Sequence, residues 1–451
     1  MICDSVILAA GLGRRMRSSL PKVLHPLGGR PILAWSIHAC REASGRSPFV
    51  VVGPEAEAIR ESAGDNVHFV EQVDRLGTGH ALLQSSQALQ GRSDLVLVIS
   101  ADMPLLRVET LRHLIQVQSE SEGPLTLLAV RGSVPRGFGR VVRNARGQAI
   151  AVVEEAEATK EQLALDEYNT SVYCFHSSWL WDHLPRLPLS PKGEYYLTDI
   201  VAMAAQEGGE ALVLEVEDPD EVIGVNTREH LAEAEAALRR RINRGWMLAG
   251  VTMLDPLTTY IGPDVVLGRE TVILPNTHLL GQTVVGEGCT LGPNAILRDA
   301  TVGKGCKVLD SVIEEATLED QVDVGPFSHL RRGAHLKRGV HVGNFAEVKN
   351  STLEAGAKMG HFSYVGDASI GEEANIGAGT VTCNFGLDGR KNHTEVGAGA
   401  FIGSDTMLVA PVRVGQGAVT GAGAVVTKDV PDRGIAVGVP ARVIRKRADD
   451  E

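Results

Sequence analysis

Two hydrophobic rhythms divide this chain. From Val6 to about Asn226, short apolar runs alternate with amphipathic stretches. Val6–Ala10, Phe49–Val52, Leu95–Ile99 and Leu125–Val130 are nearly uninterrupted and rich in leucine or β-branched residues. Such runs suit strands buried on both faces of a parallel sheet. Between them, Ile32–Ala43 and Gly79–Gln90 carry helical spacing. The alternation predicts an α/β layered domain with its chemistry at the carboxyl ends of the strands.

Thr227–Trp246 has a different texture. His230 to Arg241 is rich in good helix formers, acidic early and basic late, an order that suits the helix dipole. One connecting helix is predicted there, with Gly250 marking its end. Beyond it an aliphatic residue returns about every six positions: Ile261, Leu267, Ile273, Leu279, Val285, Leu291 and Leu297. After a slip the beat resumes at Val302 and Val308, then runs from Val324 to Val348, through Met359 and Val365, and from Ile370 to Thr382. Its last stretch runs from Val396 to Val426, and glycine often follows the aliphatic residue. A short, persistent period marks a solenoid. Three six-residue strands make one triangular coil, with the aliphatic residue pointing to the axis and small residues at tight corners. This is the pattern of a left-handed parallel β-helix of hexapeptide repeats. The beat stops over Cys383–Glu395, which predicts a loop ejected from the coil. The domains read as 1–226, 227–250 and 251–451.

Length and charge narrow the picture. A chain of 451 residues has room for two or three domains with sizeable cores. A formal charge of −12 argues against a nucleic-acid partner, without excluding a local basic pocket. Six scattered cysteines without a CxxC pair read as reduced, buried small hydrophobes. The start lacks a basic segment, and no apolar run approaches the roughly 20 residues that span a bilayer. A cytoplasmic protein without stable membrane association is expected.

Two segments carry candidate chemistry. In the first, Leu8-Ala9-Ala10-Gly11-Leu12-Gly13-Arg14-Arg15-Met16 is followed by Leu20-Pro21-Lys22-Val23-Leu24. Gly-x-Gly after a strand can direct backbone N–H groups at a phosphate, and alone it is equally a tight turn. Met16 stands where a dinucleotide fingerprint has its third glycine. Arg15 and Lys22 beside the turn suit a triphosphate better than a dinucleotide. Asp102, after Leu95–Ile99, is by itself equally a strand-end cap.

In the second segment Lys349, His361 and Tyr364 interrupt a repeat that otherwise favours small or aliphatic residues. Imidazole can take a proton from an attacking amine. One histidine among 14 is by itself equally a surface residue. Arg331, Lys349, Tyr364 and Asn375 lie nearby or at whole-coil spacings of about eighteen residues, which predicts stacking on related faces.

The first motif resembles the signature of sugar-1-phosphate nucleotidylyltransferases. The match extends through Leu76–Ala81, Asp102–Leu105, Gly137–Arg140, Val153–Glu154, Tyr168–Thr170, Glu194–Asp199 and Gly224–Asn226. With the β-helix behind it, nearly all of Met1 to Val430 is similar to the GlmU family. Its members are bifunctional N-acetylglucosamine-1-phosphate uridylyltransferases and glucosamine-1-phosphate N-acetyltransferases.

That resemblance implies a Rossmann-like nucleotidyltransferase domain in which Leu8, Ala9, Ala10, Gly11, Gln72, Gly77 and Thr78 hold uridine and nearby phosphate. Ser100 and Ala101 stand beside the nucleotide, where relatives commonly carry Tyr-Gly. Arg15 and Lys22 would stabilise charge on the α-phosphate and the leaving pyrophosphate. Asp102 and Asn226 would coordinate Mg²⁺, and Gly139, Glu154 and Asn169 would recognise the acetylated sugar. In the β-helix, His361 would be the general base. Arg331 and Lys349 would grip the sugar phosphate with a further contact from Lys391, and Tyr364 and Asn375 would orient the sugar. Ala378, Asn384, Phe385, Ser404 and Ala422 would line the acetyl-CoA groove. Arg442 would replace an arginine missing before Val439-Pro440. The implied substrates are glucosamine-1-phosphate, acetyl-CoA, UTP and N-acetylglucosamine-1-phosphate, and the implied assembly is a homotrimer sharing its acetyltransferase sites. Phe385 stands in place of a tyrosine, in a loop one residue longer than usual. The tail from Arg445 reads as solvated. The alternatives are a monofunctional nucleotidylyltransferase on a structural β-helix, or a nucleotide sensor. The combination Arg331, Lys349, His361, Tyr364 and Asn375 argues against the first. Asp102, Asn226, Arg15 and Lys22 argue against the second.

Overall fold

A computed structural model describes residues 1–132 and 137–447. The chain divides into two compact units, Met1–Leu238 and Arg239–Glu451. The division falls inside the helix Arg228–Leu248.

In the first unit a nine-stranded sheet runs in the order His68–Glu71, Phe49–Val52, Cys3–Leu8, Leu95–Ser100, Glu167–His176, Leu125–Arg131, Ala211–Glu215, Ala149–Val153, Gly139–Arg143. The apolar runs become strands because both faces are covered. Val6, Val96 and Val98 pack with Leu82, Leu180 and Ile200 on one face. Ile7, Leu97 and Ile99 pack with Leu33, Ile37, Leu111 and Leu114 on the other. The sheet is mixed rather than parallel as expected. Glu167–His176 runs antiparallel to both Leu95–Ser100 and Leu125–Arg131, and Gly139–Arg143 and Ala149–Val153 form an antiparallel pair. The predicted helix over Gly79–Gln90 is broken into Thr78–Leu83 and Ser86–Leu89. The buried Ser85 hydroxyl donates to the Leu82 carbonyl at 2.6 Å, offering the backbone an alternative to continued helix. The glycine turn leads only into a single 3-10 turn, Arg14–Met16. Gly13 has φ 59, and a Cβ there would lie 2.6 Å from Lys22 Cβ. Only glycine fits that approach.

The second unit is a three-sided left-handed parallel β-helix. Its first face starts at Thr252–Met253, its second at Tyr260–Ile261 and its third at Val266–Leu267. The aliphatic track forms one continuous buried core. Ile313, Leu318 and Leu353 fill the beats missing from the sequence pattern. The slip arises because some coils are short: Ile296 pairs with Val312, two residues fewer than a full period. The ejected loop is shorter than predicted, because Cys383 and Thr394–Glu395 belong to strands. An antiparallel bridge between Phe385 and Lys391 pins its base. At the end of the first face Gly434–Val437 pairs with Arg442–Lys446, which turns back antiparallel. Arg445 and Lys446 are thus part of an exposed strand, while Ala448–Glu451 lie outside the described residues. All six cysteines are free, five buried and Cys383 half-buried. Among the described residues no helix is long and apolar enough to cross a membrane.

Candidate functional sites

At the carboxyl edge of the first sheet, the backbone ties the glycine turn to its neighbours. Ala9 N–H donates to Val51 O at 2.8 Å, and Ala101 N–H to Leu8 O at 3.0 Å. The Ala10 carbonyl accepts from Arg75 Nε at 3.0 Å. Gly11 is exposed, with nothing within 4 Å of a Cβ built there, so the turn's backbone is open to a ligand. Gln72, at the end of His68–Glu71, is buried and donates to the Gly77 carbonyl at 3.2 Å. Gly77 has φ 99, and a Cβ there would meet the Tyr195 carbonyl oxygen at 2.6 Å. Thr78 Oγ1 accepts from Leu197 N–H at 3.0 Å.

Charge converges just beyond this cradle. Lys22 Nζ lies 2.7 Å from Asp102 Oδ2 and 3.0 Å from Asn226 Oδ1. Ser100 Oγ donates to Asp102 Oδ1 at 2.7 Å, and Val225 N–H donates to the Asp102 carbonyl at 2.8 Å. Burial alone would raise the Asp102 carboxyl. The Lys22 ammonium, by charge and hydrogen bond, and the Ser100 hydroxyl outweigh it and hold Asp102 below its ordinary value. Asp102 and Asn226 therefore aim two hard oxygens at one positive charge. That donor pair fits Mg²⁺, which completes its shell with waters and phosphate oxygens. Arg15 extends exposed from the 3-10 turn.

A second polar cluster forms where Gly139–Arg143 pairs with Glu167–His176. Gly139 pairs with Asn169 across the antiparallel strands, and a Cβ at Gly139 would crowd Val152 Cγ1 at 2.9 Å. Glu154 Oε1 accepts from Thr198 Oγ1 at 2.9 Å. Burial pushes the Glu154 carboxyl up, partly offset by Thr198. Asn169 is buried and donates from Nδ2 to Tyr173 Oη at 2.7 Å.

On the β-helix the candidate residues fall into two groups. Arg331 N–H donates to the Val348 carbonyl at 2.8 Å, so Arg331 stacks one coil below Lys349 at the end of the second face. Tyr364, on the next coil of that face, pairs with Glu347, which binds Arg331 Nη1 at 2.7 Å. Lys391 from the loop lies 4.0 Å from Asp367, and Asn384 Nδ2 lies 3.4 Å from Tyr364 Oη and also bonds Asp367. Lys391, by hydrogen bond and charge, and then Arg331 hold the Lys349 ammonium below its ordinary value. Three crowded cations of this kind are relieved by an anion.

The second group surrounds a groove of about 630 Å³ lined by His361, Asn375, Ala378, Ser404 and Ala422, with Lys358 and Phe401. Asn375 stands on the first face and His361 at the corner between the first and second. Along that corner each coil above His361 carries small residues: Gly377-Ala378, Gly403-Ser404 and Gly421-Ala422. Phe385 is exposed on the loop and Arg442 on the terminal strand; neither lines the groove. Arg442 pairs with Val437, which packs on Gly421. The predicted stacking is therefore only partial, since Asn375 occupies a different face from Arg331, Lys349 and Tyr364.

Several supporting residues had no role assigned from the sequence: Thr198 beneath Glu154, Tyr173 beside Asn169, Glu347 on Arg331 and Asp367 on Lys391 and Asn384. Thr198 lies within the quoted motif Glu194–Asp199, which was its only signal. Comparisons with known proteins bear on the whole chain. The family model for a MobA-like NTP transferase domain matches residues 5–204, and that for the bacterial transferase hexapeptide (six repeats) matches residues 264–299. A protein from Pelobacter propionicus is 43% identical, covering 98% of this chain and 97% of its own length. Another from Heliobacterium modesticaldum is 42% identical, covering 96% and 94%. A third, from Geobacter metallireducens, is 43% identical, covering 96% and 95%. Each of the three is named bifunctional protein GlmU. On this likeness over nearly its whole length, the chain belongs to the bifunctional GlmU family.

Proposed function

We propose that the chain acetylates glucosamine-1-phosphate with acetyl-CoA and then transfers UMP from UTP to the resulting N-acetylglucosamine-1-phosphate. The products are UDP-N-acetylglucosamine and pyrophosphate. The observation that carries the two-site reading is the position of His361 at the foot of a groove walled by Ala378, Ser404 and Ala422. A purely structural solenoid needs none of these.

In the acetyl transfer, His361 takes a proton from the sugar 2-amine as nitrogen attacks the thioester carbonyl. A C–N bond forms, the C–S bond breaks, and the CoA sulfur leaves as thiolate to be reprotonated. Arg331, Lys349 and Lys391 hold the sugar phosphate by charge-assisted hydrogen bonds. Tyr364 and Asn375 orient the sugar and Ala378, Ser404 and Ala422 line the cofactor groove, while Asn384, Phe385 and Arg442 stand outside the groove that this chain forms alone and would contact the cofactor beyond it. A bare solenoid face cannot enclose a substrate alone, so a neighbouring chain would complete each site. The assembly is a homotrimer, and sedimentation of the full chain at three times its mass checks this. Phe327 and Phe345, exposed and stacked 5.3 Å apart at the same corner, offer apolar surface for that contact.

In the uridylyl transfer, the sugar phosphate oxygen attacks the α-phosphorus of UTP, and the P–O bond to pyrophosphate breaks. No protein nucleophile is required, so catalysis is positioning and electrostatics. Leu8–Gly11, Gln72, Gly77 and Thr78 hold the nucleotide beside Ser100 and Ala101. Arg15 and Lys22 neutralise phosphate charge, and Gly139, Glu154 and Asn169 hold the sugar. Mg²⁺, held by Asp102 and Asn226, supplies charge neutralisation at the phosphates. Free cysteines suit the reducing cytoplasm, which we assign as the compartment.

The test is free-CoA release with a thiol reagent from acetyl-CoA and glucosamine-1-phosphate, in a Cys383→Ala background with and without His361→Ala. Release lost on His361→Ala, with UTP-dependent pyrophosphate release intact, is the expected result. No release from the trimer carrying His361 would leave a nucleotidylyltransferase on a structural β-helix.

A further inference from the structure

Arg75 stands at the edge of the nucleotide cradle and takes no part in the proposed uridylyl transfer. Its side chain is exposed, yet its guanidinium is held from two sides. Nε donates to the Ala10 carbonyl at 3.0 Å. The group also lies against buried Gly53, where a Cβ would collide with Nη2 and lie 3.0 Å from Cζ. Gly53 lacks the positive φ that demands glycine, so what it supplies is room.

The bond to Ala10 decides where the next N–H points. Up to Ala9 the backbone alternates between its two neighbouring strands. The Leu8 carbonyl accepts from Ala101 N–H, on the side of Leu95–Ser100, and Ala9 N–H donates to Val51, on the side of Phe49–Val52. Carried on unchanged, that alternation would turn the Ala10 carbonyl back toward Leu95–Ser100 and the Gly11 N–H toward Phe49–Val52. Instead the carbonyl meets Arg75, seated on Gly53 at the end of Phe49–Val52. The peptide joining Ala10 to Gly11 is planar and trans, so its N–H points away from its carbonyl. The Gly11 N–H is thereby turned to the side where Leu95–Ser100 leads to Asp102. It has no acceptor among the described residues, and Gly11 is exposed. A free N–H on that side suits a phosphate oxygen.

We infer that Arg75 is a positioning residue: by holding the Ala10 carbonyl it presents the Gly11 N–H to a phosphate of the bound nucleotide, with Gly53 as the seat of its guanidinium. This rests on the reading that the glycine turn receives UTP. Without Arg75 the peptide is free to turn, and the N–H no longer meets the phosphate in a fixed direction.

The experiment compares the full chain carrying Arg75→Ala, Gly53→Ala or both. Gly53→Ala keeps every charge and adds one methyl group, whose nearest neighbours all belong to the flexible Arg75 side chain. In each single variant KM for UTP should rise roughly three- to tenfold, the change expected from weakening one hydrogen bond. Inhibition by uridine, which has no phosphate, and KM for the sugar phosphate should hold. The double variant should be no worse than either single one, because both break the same contact. An unmoved KM for UTP in Gly53→Ala would reduce Arg75 to a surface charge, and additive losses would separate the two residues; either overturns the inference. Equal weakening of uridine and UTP would mean a loosened cradle and would overturn it too. If the unsubstituted chain shows no UTP-dependent pyrophosphate release, the reading of the turn itself has failed, and the inference falls with it.

Discussion

Glu154 and Asp102 show opposite solutions to placing a carboxylate in a site. Burial, the largest influence on Glu154, raises its carboxyl, and the Thr198 hydroxyl only partly offsets it. The folded chain therefore holds that proton more tightly than the unfolded chain. Ionised Glu154 costs stability at neutral pH, and the cost fades as pH falls through the raised value and is gone below the ordinary carboxylate range. Glu154→Gln is expected to melt above the unsubstituted chain at pH 7, with the gap closing on acidification, while KM for the acceptor sugar phosphate rises. Thermal melts across pH, run beside kinetics, check both halves. Asp102 has the reverse sign: with its carboxyl held low, it contributes stability above that range and loses it in acid. The sequence announced these residues only through motifs. No spacing rule joins Lys22 to Asp102 or Asn226, because chain crossovers bring them together. Tyr173 was illegible for another reason: in an apolar run it reads as an ordinary strand aromatic, and its bond to Asn169 depends on a slip in strand pairing that has no sequence signature.

At the scale of elements, the most legible feature was the one with the simplest physics. One aliphatic residue per six fills the axis of the β-helix, so each is buried alike. Leu291 is fully buried, and Leu291→Ala should cost about 2–5 kcal/mol, read from the urea midpoint of the acetyltransferase unit. The pattern failed where coils shorten, as between Ile296 and Val312, since a fixed period cannot follow a variable corner. It failed too in the first unit. Strands of one buried sheet look alike whichever way they run, and the antiparallel Glu167–His176 between Leu95–Ser100 and Leu125–Arg131 was not foreseen. Helical spacing over Gly79–Gln90 survived only as two pieces, because Ser85 turns its hydroxyl to the backbone. Phe327 and Phe345 hold φ values of 62 and 56, unusual for bulky residues. The same left-handed backbone recurs along that corner in Asn276, Asn294 and Asp310, so it is the ordinary geometry of the turn.

For the molecule as a whole, the two proposed chemistries draw on different physics. On the proposed mechanism, uridylyl transfer would need a divalent cation at Asp102 and Asn226, whereas a general base at His361 would not. Chelation with EDTA is expected to abolish UTP-dependent pyrophosphate release and leave CoA release within about twofold of its rate, an assay of both products from one sample. Loss of both would tie the acetyl transfer to metal. The antiparallel return of Arg442–Lys446 has a different consequence. Every parallel strand of a β-helix is a template for the next, so the stack carries no internal instruction to stop. Arg442–Lys446 runs the wrong way for another coil and presents Arg442, Arg445 and Lys446 to solvent. On that face it gives the solenoid an end: the hydrogen bonds of Gly434–Val437 that a further coil would take are used by the chain itself, behind a fence of positive charge.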